Sequence, residues 1–572
     1  MSVESNVKKK RKRADSNTRI DTESMEQGVD GVDYISQLPE DIIHRIIGLL
    51  RCNKDAARTS ILSKRWRDIW DSFSSLVFDQ RKFLRQLRGL KSSFEVQTRI
   101  KESAEMFESY VDRTLQRCVE QNNRSVQKFV LHVTYCNSQL TTSIDRWIDM
   151  ALRKHIKELD LHVPSRVHKR YSLPQSVFAA RMITSLRVNG CKLGPCNSLN
   201  LCNLQKVCLA KLSVKEQMIE KMVHACPLLE DFRLVYATRL KVLKVSNLPK
   251  LKRVDLHACT ELNEVDLQVP NLETFWYVAA RRHCKIDLST CNTLKSLTLE
   301  DATLKDESFQ NHLSCFPVLE KLVLSRCDAL KNITISSYQL KTLILRECKQ
   351  LKEADIDTPN LLTLEYKGEW MMPFTSLNPS SLKEAKLCFK PSKKGQPRFH
   401  NGNKHAPWFA NLQKFLKKFD YSSRDLKLVV RSDKNIIIYE NPTEIFLPHI
   451  YDLKLDVVKS SVTLEDLLDD ILRACHPVTL SSFSTSKSSL CKLVRKKLMA
   501  TKKDPGCCTY NSTGNKCWRH FLDKVETEDL VNGKSKSEWI AWLRSYKAKF
   551  KVNCFRLSWK PRERVIEGHA NV

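Results

Sequence analysis

From residue 126 onward a short apolar unit, L-x-x-L-x-L with any apolar side chain allowed, returns about every 21 residues. The series runs Val126-Phe129-Leu131, Ile156-Leu159-Leu161, Ile183-Leu186-Val188, Leu204-Val207-Leu209, Leu229-Phe232-Leu234, Leu251-Val254-Leu256 and Leu272-Phe275-Tyr277. It continues through Leu294-Leu297-Leu299, Leu319-Leu322-Leu324, Leu340-Leu343-Leu345, Leu361-Leu364-Tyr366 and Leu382-Ala385-Leu387. From Leu229 the starts advance by 22, 21, 22, 25, 21, 21 and 21 residues. One such unit cannot hide its apolar edge alone, so the chain must stack its units side by side.

Intervals of this size, with an alternating strand at the centre, define a leucine-rich repeat and predict a parallel-stranded α/β solenoid. Asn or Cys is expected three residues after the last apolar position, and Cys191, Cys259, Cys327 and Cys348 fall there. A weaker half-period series at Leu240, Leu262, Leu330 and Leu351 lacks those cysteines and is expected to line the opposite wall. The earlier intervals of 30, 27, 21 and 25 read as the irregularity of an end. The residue between the last two apolar positions faces outward, so Arg187, Cys208, Arg233, Asp255, Trp276, Thr298, Val323, Ile344, Glu365 and Lys386 should form one concave row. Within it Trp276, Val323 and Ile344 make an apolar centre with Arg233 and Asp255 as a polar rim, the expected contact set for a protein target.

The first 32 residues are polar and lack periodicity, so they read as a disordered basic tail. Lys8, Lys9, Lys10, Arg11, Lys12 and Arg13 form an uninterrupted cationic run suited to the acidic groove of an import receptor, which points to the nucleus as well as the cytoplasm. Between 33 and 78 three short helices are expected. Leu38-Pro39-Glu40-Asp41 opens the first, with Pro in the first turn, and Ile42, Ile43, Ile46, Ile47, Leu49 and Leu50 give it a broad apolar face. Asp55 is placed to cap a second carrying Ala56, Ala57, Ile61 and Leu62, and Ser63 a third carrying Trp66 and Trp70. Three helices this small hold more apolar surface than they can hide from one another, which implies a partner.

The strings Leu38-Pro39-Glu40-Asp41-Ile42-Ile43 and Asp55-Ala56-Ala57-Arg58-Thr59-Ser60-Ile61-Leu62-Ser63-Lys64-Arg65-Trp66-Arg67-Asp68-Ile69-Trp70 closely resemble the F-box of plant F-box/leucine-rich-repeat proteins, and Leu76-Val77-Phe78-Asp79 continues the likeness. The resemblance implies docking on the Skp-type adaptor of an SCF cullin-RING ubiquitin ligase, with Leu38, Pro39, Ile42, Ile46, Leu62 and Trp66 as contact or supporting residues. It further implies a non-catalytic receptor whose solenoid holds an unknown target for ubiquitination by other subunits. Residues 79–125 are expected as a helical linker, where Phe107, Val111, Leu115 and Cys118 share one packing face, and 126–390 as the solenoid. Beyond the polar stretch Pro391-Ser392-Lys393-Lys394-Gly395, residues 391–572 are expected as irregular repeats and a mixed cap. Strand-like pieces recur there near 426–430 and 450–455, and Cys475-His476-Pro477 and Cys517-Trp518-Arg519-His520-Phe521-Leu522 are similar to the C-terminal region of the same plant family.

Composition excludes other classes. Glycine is 13 of 572 residues, so Gly-rich phosphate cradles are not expected, and in Gly533-Lys534-Ser535 the glycine a phosphate loop needs upstream is Glu528. The 21 cysteines are diluted in a long chain without a signal-peptide pattern and read as reduced thiols. Cys507, Cys508, Cys517 and His520 match no common zinc spacing, and neither H-E-x-x-H nor G-x-S-x-G occurs. No metal, cofactor, nucleophile or membrane span is expected. Lys+Arg outnumber Asp+Glu by 96 to 65, and this excess of +31 keeps open an alternative: a basic nuclear scaffold binding nucleic acid.

Overall fold

The computed structural model describes residues 35, 37–49, 58–72, 75–84, 93–120, 126–136, 138–163, 171–194, 199–280, 283–368, 374–377, 381–389, 427–432, 452–457, 468, 472, 476–485, 490–500, 518–528 and 550–560. They fall into two units, Met1–Phe73 and Ser74–Val572.

In the first unit the isoleucine-rich string forms α1 (Glu40–Leu49). Pro39 stands one position ahead of it, not inside the first turn, and its carbonyl accepts from the Ile42 and Ile43 amides at 3.0 and 3.1 Å. Helix α2 (Lys64–Ser72) begins as its sequence dictates, with Ser63 Oγ accepting from the Trp66 amide at 3.1 Å. Of the expected middle helix, the described part is a single 3₁₀ turn at Thr59–Ile61; Asp55, Ala56 and Ala57 lie outside the described residues. The buried core is Ile43, Ile47, Trp66 and Ile69, flanked by Leu38 and Ile46.

The second unit starts earlier than its repeats indicate. Strand β1 (Ser75–Asp79) pairs in parallel with β2 (Lys128–His132), Leu76 opposite Phe129, so the Leu76-Val77-Phe78-Asp79 string opens the solenoid sheet. The expected linker contains α3 (Ser93–Glu120), whose Phe107, Val111, Leu115 and Cys118 are buried. It packs on α4 (Ser138–Arg153), with Phe107 edge-on to Trp147 at 6.1 Å and Trp147 Nε1 donating to Asp112 at 2.7 Å. The amphipathic face therefore belongs to the first turns of the solenoid.

Among the described residues one sheet holds 18 strands. After β2 come β3 (Glu158–His162), β4 (Ser185–Asn189), β5 (Lys206–Ala210), β6 (Asp231–Val235), β8 (Arg253–His257), β10 (Thr274–Val278) and β12 (Ser296–Glu300). Next are β13 (Lys321–Ser325), β15 (Thr342–Arg346), β17 (Thr363–Gly368), β18 (Glu384–Phe389), β19 (Lys427–Ser432), β20 (Asp452–Val457) and β21 (Thr479–Thr485). All these neighbours pair in parallel; β23 (Phe550–Trp559) and β22 (Leu522–Glu528) then close the sheet antiparallel. At that end His476 stacks on Trp559 at 4.2 Å, and Trp559 Nε1 donates to the Pro477 carbonyl at 2.8 Å. The C-terminal Cys-His-Pro and Cys-Trp-Arg-His strings thus supply cap packing through His476 and Trp518.

The half-period leucines do introduce a second wall. It carries a sheet of β7 (Val242–Ser246), β9 (Glu264–Gln268) and β11 (Lys285–Asp287), and a separate pair, β14 (Asn332–Ser336) and β16 (Glu353–Asp357). The longer intervals carry helices in the same place: α4 in the 30-residue interval, the short α5 (Gln175–Phe178) in the 27, α6 (Glu216–Ala225) and α7 (Asp306–Ser314) in the two of 25. These spacings are a different wall element and not the fraying of an end.

At the corner leaving many strands one residue takes a left-handed conformation: Gly190, Lys211, Tyr236, Ala258, Arg326 and Glu347. Only one of these is glycine, and each of the others accepts strain of order 1 kcal/mol. The corner amide is rewarded by the next turn, as when Lys211 N donates to Val235 O and Tyr236 N to His257 O, both at 2.7 Å. The cysteine position works similarly. Cys327 and Cys348 thiols lie 3.5 and 3.8 Å from the Leu299 and Leu324 carbonyls one turn back, while burial raises Cys191 to about 12 and Cys259 to about 11. They are structural thiols. No helix among the described residues is long and apolar enough to cross a membrane.

Candidate functional site

Two surfaces have a chemistry beyond holding the fold. The first lies on the helical unit. Helix α1 turns Ile43 and Ile47 inward and leaves Ile42 exposed; the 3₁₀ turn leaves Ile61 and Leu62 80% and 64% exposed, and Ile35 is exposed as well. Pro39 is exposed, Leu38 and Ile46 are half-buried, and Trp66 lies inside the core. Of the sequence-derived candidates, Leu38, Pro39, Ile42, Ile46 and Leu62 thus retain accessible surface, whereas Trp66 packs between the helices. Arg65 fixes the approach to α1 by donating to the Leu38 carbonyl at 2.7 Å. Ile35 and Ile61 were absent from the candidate set, because sequence periodicity assigns an isoleucine to the inside.

The second surface is the concave face of the long sheet. Strand register aligns Arg187, Cys208, Arg233, Asp255, Trp276, Thr298, Val323, Ile344, Glu365 and Lys386 in one continuous row. Their exposure differs sharply. Trp276 is 37% exposed and Ile344 half-buried, but Val323 is only 6% exposed and forms floor instead of contact surface. Arg233 and Asp255 are not a free rim. Arg233 Nε and Nη2 hold Asp231 at 2.7 and 2.5 Å, and Asp255, 3% exposed, is gripped by Arg253 at 2.9 Å and lies 3.5 Å from Arg233. Asp231 and Arg253, two positions before the row and on the same face of their strands, neutralise the pair; a reading confined to the middle position omits them.

Other concave charges pair in the same manner. Lys128 meets Glu158, Arg346 meets Glu365 at 2.6 Å, Lys386 and Lys427 share Glu384, and Arg326 pairs with Glu300. Between the Arg233–Asp255 cluster and the Arg346–Glu365 pair lies a window carrying Thr274, Trp276, Val278, Ser296, Thr298 and Ile344. His257 borders it, its ring edge-on to Trp276 at 4.4 Å, with burial pushing the imidazole below its ordinary pKa. Near the sheet's start, His132 and His162 lie 5.7 Å apart and burial, followed by the charge of His132, lowers His162. Among the described residues no group of three or more His, Cys, Asp or Glu is arranged for a metal. Cys507, Cys508 and Cys517, the Gly533-Lys534-Ser535 string and the Lys8–Arg13 run lie outside the described residues.

Residues 35–78 match the F-box domain, and residues 120–284 and 280–395 match the family described as At1g61320/AtMIF1, LRR domain. F-box/LRR-repeat protein At3g58900 of Arabidopsis thaliana is 30% identical over 263 residues, 43% of this chain and 73% of that protein. This chain belongs to the F-box/LRR-repeat family. A second family member, F-box/LRR-repeat protein At3g03360, is 22% identical over 55% of this chain and 62% of its own length. A putative FBD-associated F-box protein, At5g22720, is 29% identical over 41% and 46%, both from the same plant. The alignments therefore span about half to three-fifths of these two relatives. The F-box match runs through β1, which explains why the Leu76-Val77-Phe78-Asp79 string reads as F-box although it folds as the first solenoid strand.

Proposed function

We propose that this F-box/LRR protein is a substrate-recognition subunit of an SCF-type ubiquitin ligase. In this reading the helical unit docks on a Skp-type adaptor, the concave window holds a target protein, and the chain contributes no catalytic group. The observation that carries it is the exposed set Ile35, Ile42, Ile61 and Leu62 on a unit whose described core is Ile43, Ile47, Trp66 and Ile69, lying in the segment that matches an F-box. A solitary helical subdomain gains nothing from such exposure, whereas an adaptor covering it gains roughly 25 cal/mol for each Å² removed from water. The chemical benefit is proximity: a held target lysine meets a charged ubiquitin carrier at high effective concentration.

Co-purification with a Skp-type adaptor tests this, using the chain with Leu38 and Pro39 both changed to alanine as control. Failure to co-purify, or equal binding by the double variant, sinks the adaptor role. The nucleic-acid alternative is disfavoured by the paired cations of the concave face; steep loss of nucleic-acid affinity with salt would restore it. Nuclear as well as cytoplasmic residence rests on the Lys8–Arg13 run, and nuclear accumulation that survives deletion of residues 8–13 would remove that support.

A further inference from the structure

Where the second wall changes from strand to helix, the fold leaves a hole. β11 is the edge of its three-stranded sheet, and the next turn replaces a wall strand with α7. Since helix and strand differ in width, the two cannot close against each other as two strands do. A cavity of about 190 Å³ results, walled by Tyr277, Leu297 and Leu299 from the concave strands, Ile286 of β11 and Leu288 just after it, and Leu304 before α7. An apolar cavity of about 150 Å³ already accepts benzene.

This cavity is not purely apolar. Asp301 lines it while only 4% exposed. Its Oδ1 accepts from the Thr303 amide at 2.8 Å and the Thr303 hydroxyl at 2.7 Å. Among the described residues no cation pairs with this carboxylate and Oδ2 has no hydrogen-bond donor. Oδ2 is thus left for water or for a ligand's donor within the cavity that Asp301 lines. Lys285 and His283 stand at the exposed rim, where solvent screens charge, and burial holds the His312 imidazole below its ordinary pKa.

We propose that this cavity is a small-molecule site for a compact organic amine, its apolar body against Tyr277, Leu297 and Leu299 and its nitrogen donating to Asp301. The site is independent of adaptor docking. Tyr277 follows Trp276 on β10 and faces the other side of the strand, so an occupant would brace the concave window from behind.

Calorimetric titration and thermal unfolding of the full chain with benzylamine, benzyl alcohol and benzoate test the assignment. Benzylamine is expected to bind and raise the unfolding midpoint, benzyl alcohol to bind at least about tenfold more weakly, and benzoate not to bind, as a charge-assisted hydrogen bond requires. Asp301→Asn keeps the oxygen that caps Thr303 and should weaken benzylamine at least about tenfold while leaving benzyl alcohol unchanged. Ser308→Leu, on the partly exposed side of α7, fills the cavity and should abolish both. Equal binding of the amine and the alcohol, benzylamine affinity unaffected by Asp301→Asn, or no binding at all overturns the proposal.

Discussion

The helical unit and the solenoid solve the same problem of hiding apolar side chains in opposite ways. With two helices and a 3₁₀ turn described, the first unit encloses only Ile43, Ile47, Trp66 and Ile69 and leaves Ile42, Ile61 and Leu62 outside. The solenoid buries each strand's leucines against the turn before and the turn after, so its core is continuous, and along the concave row the accessible apolar surface centres on Trp276. A unit too small to close advertises a broad patch; a unit that grows by stacking can choose where to leave a small one. Under the proposed function, this contrast suits the one surface to a shared adaptor and the other to a target particular to this chain.

The sharpest way to break the comparison is to cut an aromatic from each core. Trp66→Ala is expected to cost about 3–5 kcal/mol and to unfold the helical unit entirely, whereas Phe275→Ala costs a similar amount but leaves distant turns protected, because repeat stability is a sum over neighbours. Hydrogen exchange resolved along the chain checks both; loss of protection throughout the solenoid in the Phe275 variant would contradict the additive picture. Next in size, changing Ile42 and Leu62 together to aspartate should cost at least 2 kcal/mol of adaptor affinity, about 30-fold, with unchanged circular dichroism. Unaltered affinity would mean that the patch is not the docking surface. Trp276→Ala should weaken a captured target by about 2 kcal/mol and leave adaptor binding intact, measured by titration against each partner.

The smallest effect is one of pH. His162, His257 and His312 are all lowered by burial, so the folded solenoid takes up protons less readily than its unfolded chain. The associated stability is complete above about pH 6.5 and declines as pH falls through the unfolded value toward the lower folded ones. For His257 the facing groups are Asp255 and Glu300, which oppose the shift, and Arg253 and Arg233, which assist it. Denaturant midpoints at pH 7.5 and 5.5 should differ, and His257→Gln should reduce that difference; a midpoint that rises on acidification would reverse the sign.

The concave half of the solenoid was legible from sequence because strand alternation and the 21-residue period specify the same side chains twice. All twelve apolar triplets coincide with parallel strands, and the row from Arg187 to Lys386 is in register. The opposite wall was legible only as leucines. Whether Leu240 leads to a strand or the 294–319 interval to a helix depends on how many residues must span one turn, and an interval of 25 looks like noise until α7 occupies it. At the candidate surfaces, residue type signalled exposure poorly. Val323 and Asp255 lie at outward positions yet are buried, Asp255 held by Arg253 of its own strand and Arg233 of the neighbouring one, and Ile61 looks like core but lies exposed on the 3₁₀ turn. The β1 string could not be divided between F-box and solenoid, because its partner strand lies more than fifty residues away.

Strand register also makes each turn interchangeable. Val323, Ile344 and Glu365 are successive neighbours on β13, β15 and β17, with identical backbone pairing at both seams. Excising one whole period between Thr342 and Thr363 would join β13 directly to β17 and set Glu365 beside Val323, replacing an isoleucine in the window with a carboxylate. The edit keeps the concave ladder paired and costs the β14–β16 pair on the opposite wall, so recombination of whole turns would rewrite the concave row in one step, a larger change than any single substitution.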